Sequence, residues 1–123
     1  MSETRIAIIG LGYVGLPLSL QFARNCTTVI GIDIDPAKIE TLRAGKTYIK
    51  HVGDDGIKEL VDREKFVPTT DFSRIRECEA VIICVPTPLT KTRDPDLSYV
   101  LNTGRAIGPH IKPGMLVVLE STT

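Results

Sequence analysis

The chain has 123 residues, 42% of them hydrophobic and 24% charged, a globular balance with room for one domain and none for wholesale disorder. Fifteen basic side chains offset fifteen acidic ones, so no broad electropositive face is offered to nucleic acid. No apolar run approaches the ~20 residues of a membrane span, and three cysteines without a C-x-x-C pair argue against a disulfide framework or a zinc site.

Along the chain, apolar runs alternate with stretches of helical period. Residues 5–9 (RIAII) predict a buried strand, because β-branched residues dominate and nothing alternates. The apolar run 6–11 lacks the flanks and cleavage site of a signal peptide, which predicts a cytoplasmic location. Residues 13–25 predict a helix with Val14, Leu18 and Phe22 on one face. Pro17 falls at or just past its first turn, where a slight distortion is expected. Residues 28–32 (TVIGI) predict a second strand. Residues 36–44 predict a helix capped by Asp35, opened by Pro36 and closed by Gly45. Residues 46–53 read as irregular, 54–63 as another helix, and Phe66–Thr69 as a weak strand. Residues 80–85 (AVIICV) predict a third buried strand. Pro86, Pro88 and Pro95 make 86–95 a loop. A helix over 96–107 and a turn at Pro109, Pro113 and Gly114 lead to a last buried strand, 115–119.

This alternation predicts an α/β fold: a Rossmann-type doubly wound parallel sheet in three layers, a single domain over residues 1–123. In such sheets ligands bind beyond the carboxyl ends of the strands. Ser121, Thr122 and Thr123 lie just past the last strand, so the chain reads as part of a longer protein.

Gly10-Leu11-Gly12-Tyr13-Val14-Gly15 fits G-x-G-x-x-G, and it follows a predicted strand and opens a predicted helix, the context that gives the pattern meaning. Gly10 lets the chain turn out of the strand. At Gly12 a side chain would collide with an approaching pyrophosphate, and Gly15 lets helix and sheet pack closely. First-turn amides and the helix dipole then face the phosphates. The alternative is a tight strand-to-helix turn that holds no ligand.

Asp33 ends the second strand, near the ~20-residue offset of a carboxylate that binds the adenosine ribose. Such a group repels a 2′-phosphate, so NAD is favoured over NADP, although Lys38 nearby is a cation that could meet one. Capping of the next helix by Asp33 or Asp35 is the other reading, and both roles can coexist. Val85, Pro86 and Thr87 follow the third strong strand; a rigid loop against a flat ligand and an ordinary loop fit them equally. The hydroxyls of Ser121, Thr122 and Thr123 suit a cofactor carboxamide, a helix cap or a polar loop. Cys84 sits in a strand as a small hydrophobe, and Cys26 and Cys78 follow predicted helices with no helix N-terminus, nearby His or evident basic pocket to activate them, so all three read as structural. His51 and His110 lack ligand spacing and read as surface residues; Lys91 and Arg93 read as a solvated loop.

Four segments together carry a family resemblance: IAIIGLGYVGLPLSLQFA, VIGIDIDPAKIETLRAG, CVPTPLTKTRDPDLSYV and VVLESTT. They resemble the N-terminal domain of the nucleotide-sugar (UDP-sugar) 6-dehydrogenases over the whole chain. The proline-loop segment is most similar to the UDP-N-acetylglucosamine branch, with the UDP-N-acetylmannosamine enzymes close behind.

The resemblance implies NAD-linked oxidation of the sugar C6 alcohol to a carboxylate by two hydride transfers, through an aldehyde held on a catalytic cysteine. It implies that Gly10, Gly12, Tyr13, Val14 and Gly15 form the pyrophosphate loop, that Asp33 binds the ribose and that Lys38 assists at the adenosine end. It implies that Val85, Pro86 and Thr87 line the nicotinamide side. Ser121 and Thr122 match a pair near the reaction centre, where the threonine positions water. It also implies homo-oligomers of the complete enzyme. No cysteine here matches the family nucleophile, which belongs with a central helix and a UDP-sugar domain, so these residues alone are expected to be inactive. Two other readings compete. One is a stand-alone module that senses NAD(H). The other is the cofactor domain of a different two-domain dehydrogenase, acting on a hydroxy acid or hydroxyacyl substrate.

Overall fold

The computed structural model describes residues 4–12, 14–25, 27–48, 56–84 and 98–120. Five strands form one parallel sheet: β1 (Arg5–Ile9), β2 (Thr28–Ile32), β3 (Phe66–Thr69), β4 (Ala80–Ile83) and β5 (Leu116–Leu119), in the order β3-β2-β1-β4-β5. The helices are α1 (Gly15–Arg24), α2 (Pro36–Arg43), α3 (Ile57–Asp62) and α4 (Ser98–Ile107), with 3-10 turns at Phe72–Glu77 and Gly108–His110. The chain runs outward from β1 to β3, then returns to lay β4 on the other side of β1. The direction of winding therefore reverses beside β1, the place where doubly wound sheets open a crevice.

The continuous apolar runs are explained by two cores. Successive residues of a strand point to opposite faces. Ile6 and Ile8 enter one core with Leu16, Leu20, Leu42, Ile57 and Phe66 from the α1–α3 side. Ala7 and Ile9 enter the other with Ile75, Val81 and Ile107. From Ile6 to Ile9 both faces of β1 are covered, so polar residues have no place there, and only Arg5 at its start is exposed.

Several boundaries and faces differ from expectation. Helix α1 docks chiefly through Gly15, Leu16, Ser19, Leu20 and Ala23; of the expected line Leu18 and Phe22 pack against this core half-buried, while Val14 stays 38% exposed. The cause is the close approach of Gly15 to the sheet, which turns its own face inward. Ser19 is tolerated there because its hydroxyl donates to the Gly15 carbonyl at 2.6 Å. Strand β4 stops at Ile83. Strand β5, expected to be buried, pairs among the described residues with β4 alone, and its Leu116, Val117 and Leu119 are exposed because the described elements do not cover them on the sheet faces. His110 is half-buried rather than superficial, and its Nδ1 is enclosed without a hydrogen-bond partner. Among the described residues no helix is long and apolar enough to cross a membrane.

Candidate dinucleotide site

The glycine loop leaves β1 still tied to the sheet, with the Gly10 amide donating to the Ile32 carbonyl at 2.7 Å. Gly10 has φ of +94°, a left-handed backbone that suits glycine and turns the chain out of the strand. Gly15 is where side-chain bulk is forbidden: a Cβ there would lie 1.7 Å from the Gly10 carbonyl oxygen. At Gly12 a Cβ would meet, apart from its chain neighbours, no atom of the described residues within 4 Å. The loop surface over Gly12 is therefore open, a cradle that a side chain would fill and that a diphosphate can occupy.

Among the described residues no side chain caps α1, whose N-terminus opens at Val14. The Leu16 amide bonds the Gly12 carbonyl and the Leu18 amide that of Val14, so the first turn is formed and rigid. Pro17 takes a position between them where few amides are needed. A preformed helix mouth without an internal acidic cap is suited to an anion.

Asp33 stands at the carboxyl end of β2, only 8% exposed. Its Oδ2 accepts the Leu11 amide and its Oδ1 the Asp35 amide, each at 2.9 Å. A carboxylate has about four acceptor positions, and among the described residues these two amides are its hydrogen-bond donors, which leaves capacity for others. Asp35 caps α2, accepting the Ala37 amide at 3.0 Å, and Pro36 holds the first helical position. The two aspartates thus divide the work in the way the sequence allows. Lys38 Nζ lies 3.9 Å from Asp33 Oδ2.

Sequence reasoning missed Tyr48. Its hydroxyl donates to the Leu11 carbonyl, and Lys38 Nζ sits 5.7 Å from the centre of its ring. Burial, and then the charges of Asp33 and Asp35, push the phenol well above its ordinary range, so it remains a donor. A tyrosine in an irregular segment carries no local signal of such a role.

Of these residues Gly10, Asp33, Asp35 and Lys38, with Ile9, line a cavity of about 460 Å³. It opens at the carboxyl ends of β1 and β2, and Asn102 and Thr103 of α4 close its far side. A second cavity of about 340 Å³ lies toward the amino ends of the strands, lined in part by Arg5, Thr28, Arg74 and Glu77. Three of its charges pair with each other, Arg5 to Glu77 at 3.3 Å and Arg74 to Glu77 at 2.9 Å, and Arg43 donates to the Pro68 carbonyl, while no glycine is among its described lining.

The described cysteines are buried. Burial foremost, and then a neighbouring glutamate, push the Cys78 and Cys84 thiols up to about 11. Tyr13, Val85, Pro86, Thr87, Ser121 and Thr122, together with Cys26, His51, Lys91 and Arg93, lie outside the described residues.

Comparison with known proteins meets this geometry. The chain is 37% identical over 123 residues to UDP-N-acetyl-D-mannosamine dehydrogenase of Salmonella typhi, covering 100% of this chain and 29% of that protein. It is 34% identical over 122 residues to UDP-N-acetyl-D-glucosamine 6-dehydrogenase of Pseudomonas aeruginosa, covering 99% and 28%. It matches the crystal structure of NDP-N-acetyl-D-galactosaminuronic acid dehydrogenase from Methanosarcina mazei Go1 with a TM-score of 0.87 and 38% identity, over 98% of this chain and 28% of that one. The chain thus spans less than a third of the length of these relatives. Identities of 37% and 34% do not favour the glucosamine branch over the mannosamine one. The family model of the UDP-glucose/GDP-mannose dehydrogenases, NAD binding domain, matches residues 4–123, and the chain belongs to that family as its NAD-binding domain.

Proposed function

We propose that the chain is the cofactor half of an NAD-dependent 6-dehydrogenase acting on a UDP-N-acetylhexosamine, within a homo-oligomeric cytoplasmic enzyme. The observation that carries the cofactor site is the open surface over Gly12 at the mouth of α1, uncapped among the described residues, next to a buried acid at position 33. NAD, when bound, supplies the hydride acceptor for oxidation of the sugar C6 alcohol.

The chain's own residues bind and orient. The backbone at Gly10, Gly12, Tyr13, Val14 and Gly15 holds the diphosphate with amides and the helix dipole. The remaining acceptor capacity of Asp33 takes ribose hydroxyls, and the same charge rejects a 2′-phosphate. Lys38 compensates the acid and supports the adenosine end. Val85, Pro86 and Thr87 line the nicotinamide side. Ser121 and Thr122 stand near the reaction centre, with Thr122 positioning the water that releases the product. These last assignments rest on the match of the sequence segments to the family. Hydride transfer needs alcohol and acceptor in fixed contact, which one cofactor domain does not provide alone. The nucleophile and most of the UDP-sugar site are assigned to regions these relatives have in addition.

Calorimetric titration with NAD tests the site. One molecule is expected to bind per chain, with binding lost in Gly12→Val; equal affinity in that variant overturns the loop's role. Residues 1–123 incubated with NAD and UDP-N-acetylglucosamine are expected to give no NADH, and steady turnover would overturn the division of the machinery.

A further inference from the structure

Leu11, the second residue of the glycine loop, is held from both sides. Its amide goes to Asp33 Oδ2 at 2.9 Å and its carbonyl accepts the Tyr48 hydroxyl. The circuit closes through Lys38, whose Nζ lies 3.9 Å from Asp33 Oδ2 and 5.7 Å from the Tyr48 ring centre. Lys38 is the one cation lining the cavity beside Asp33 among the described residues. Its position matters chemically. An ammonium held on Asp33 and over an aromatic face is occupied; one freed from both is available to a phosphate on the ribose 2′ position.

We propose that Tyr48 is a specificity-determining positioning residue, which keeps Lys38 on Asp33 and so maintains the preference for NAD over NADP. The inference rests on the NAD site proposed above and deepens it. Tyr48 has two separable functions. The ring face fixes Lys38 by cation–π attraction. The hydroxyl ties the segment after α2 to the glycine loop, which orders the loop for either cofactor. The ring therefore governs the ratio of affinities and the hydroxyl governs both affinities together.

The test is calorimetric titration of the intact protein with NAD and with NADP. Tyr48→Leu is expected to lower the NAD-to-NADP affinity ratio by about two- to fivefold, the range of a partly exposed cation–π contact. Tyr48→Met, which keeps most of the volume, serves as a second ring-less variant and is expected to do the same. Tyr48→Phe is expected to weaken both cofactors while leaving the ratio within about twofold of wild type. In a Lys38→Met background, Tyr48→Leu is expected to leave the ratio unmoved. A purely structural Tyr48 would lower both affinities in every variant and leave the ratio alone, which overturns the proposal. So does a ratio change of equal size with and without Lys38. A wild-type protein that binds no NAD overturns the cofactor site and this inference with it, whereas NAD binding with an unmoved ratio overturns this inference only.

Discussion

Asp33 and Leu11 are joined between β2 and the glycine loop, the carboxylate at the end of β2 accepting the loop amide at 2.9 Å. One acid therefore fixes the loop proposed to hold the phosphates and is itself the proposed ribose ligand. Replacing it removes an acceptor for two backbone amides as well as a ligand contact. Asp33→Ala is expected to weaken NAD binding by about 1–3 kcal/mol and to lower the melting temperature as well. Calorimetry and thermal denaturation of the same preparation check both, and unchanged NAD affinity contradicts the ribose role.

Gly12 and Gly15 belong to one motif but should respond oppositely. A Cβ at Gly15 would lie 1.7 Å from the Gly10 oxygen and 3.3 Å from Cys84 Cβ, so loop or helix must move. Gly15→Ala is expected to cost about 1–3 kcal/mol of stability, as overpacking does. At Gly12 the space is open, so Gly12→Ala should change stability by less than about 0.5 kcal/mol while NAD affinity falls. Denaturant melts and NAD titrations of both variants separate the effects. A Gly12→Ala variant that loses stability and keeps its affinity would reverse these assignments.

Acid should destabilise the domain through the 3-10 turn after β3. The Ser73 hydroxyl and then its amide hold the Asp71 carboxyl below its ordinary value. The Arg74 guanidinium does the same for Glu77. Each group binds its proton less readily folded than unfolded. The unfolded chain then carries more protons in that window, so stability is present above about pH 4 and is lost as pH falls through the lowered folded values. Melting temperatures from pH 7 to 3 should show this loss, with a shallower slope in Asp71→Ala. A slope unchanged by that substitution contradicts the linkage.

The thiols of Cys78 and Cys84, pushed up to about 11 mainly by burial, carry almost no thiolate at neutral pH. Iodoacetamide at pH 7.5 should leave both unmodified in the folded protein and modify both in denaturant, as read by peptide mass spectrometry. Rapid labelling of either cysteine in the native state would contradict this account of their burial.

Much of this architecture is legible in the sequence because local and global signals agree. The unbroken run from Ile6 to Ile9 requires cover on both faces, which a sheet between helices supplies. Asp35, Pro36 and Gly45 mark α2, and its capping bond and the positive φ of Gly45 follow. The exposure of β5 is not legible, since a covered strand and an uncovered one can share one composition. The inward face of α1 is set by how near Gly15 comes to the sheet, a tertiary distance that the spacing of Val14, Leu18 and Phe22 does not encode. The turn at Phe72–Glu77 is too short to show a period, and only Asp71 before it signals a cap. Tyr48 escapes for a different reason: its partner is a backbone carbonyl 37 residues earlier, and a carbonyl has no letter in the sequence.

The most direct measurement is diffraction from crystals of the protein grown with NAD. The expected result is diphosphate density over Gly12 at the mouth of α1, with the adenosine ribose hydroxyls within hydrogen-bond reach of Asp33. Dinucleotide density at any other place on the molecule, or a diphosphate held away from that helix mouth, would contradict it.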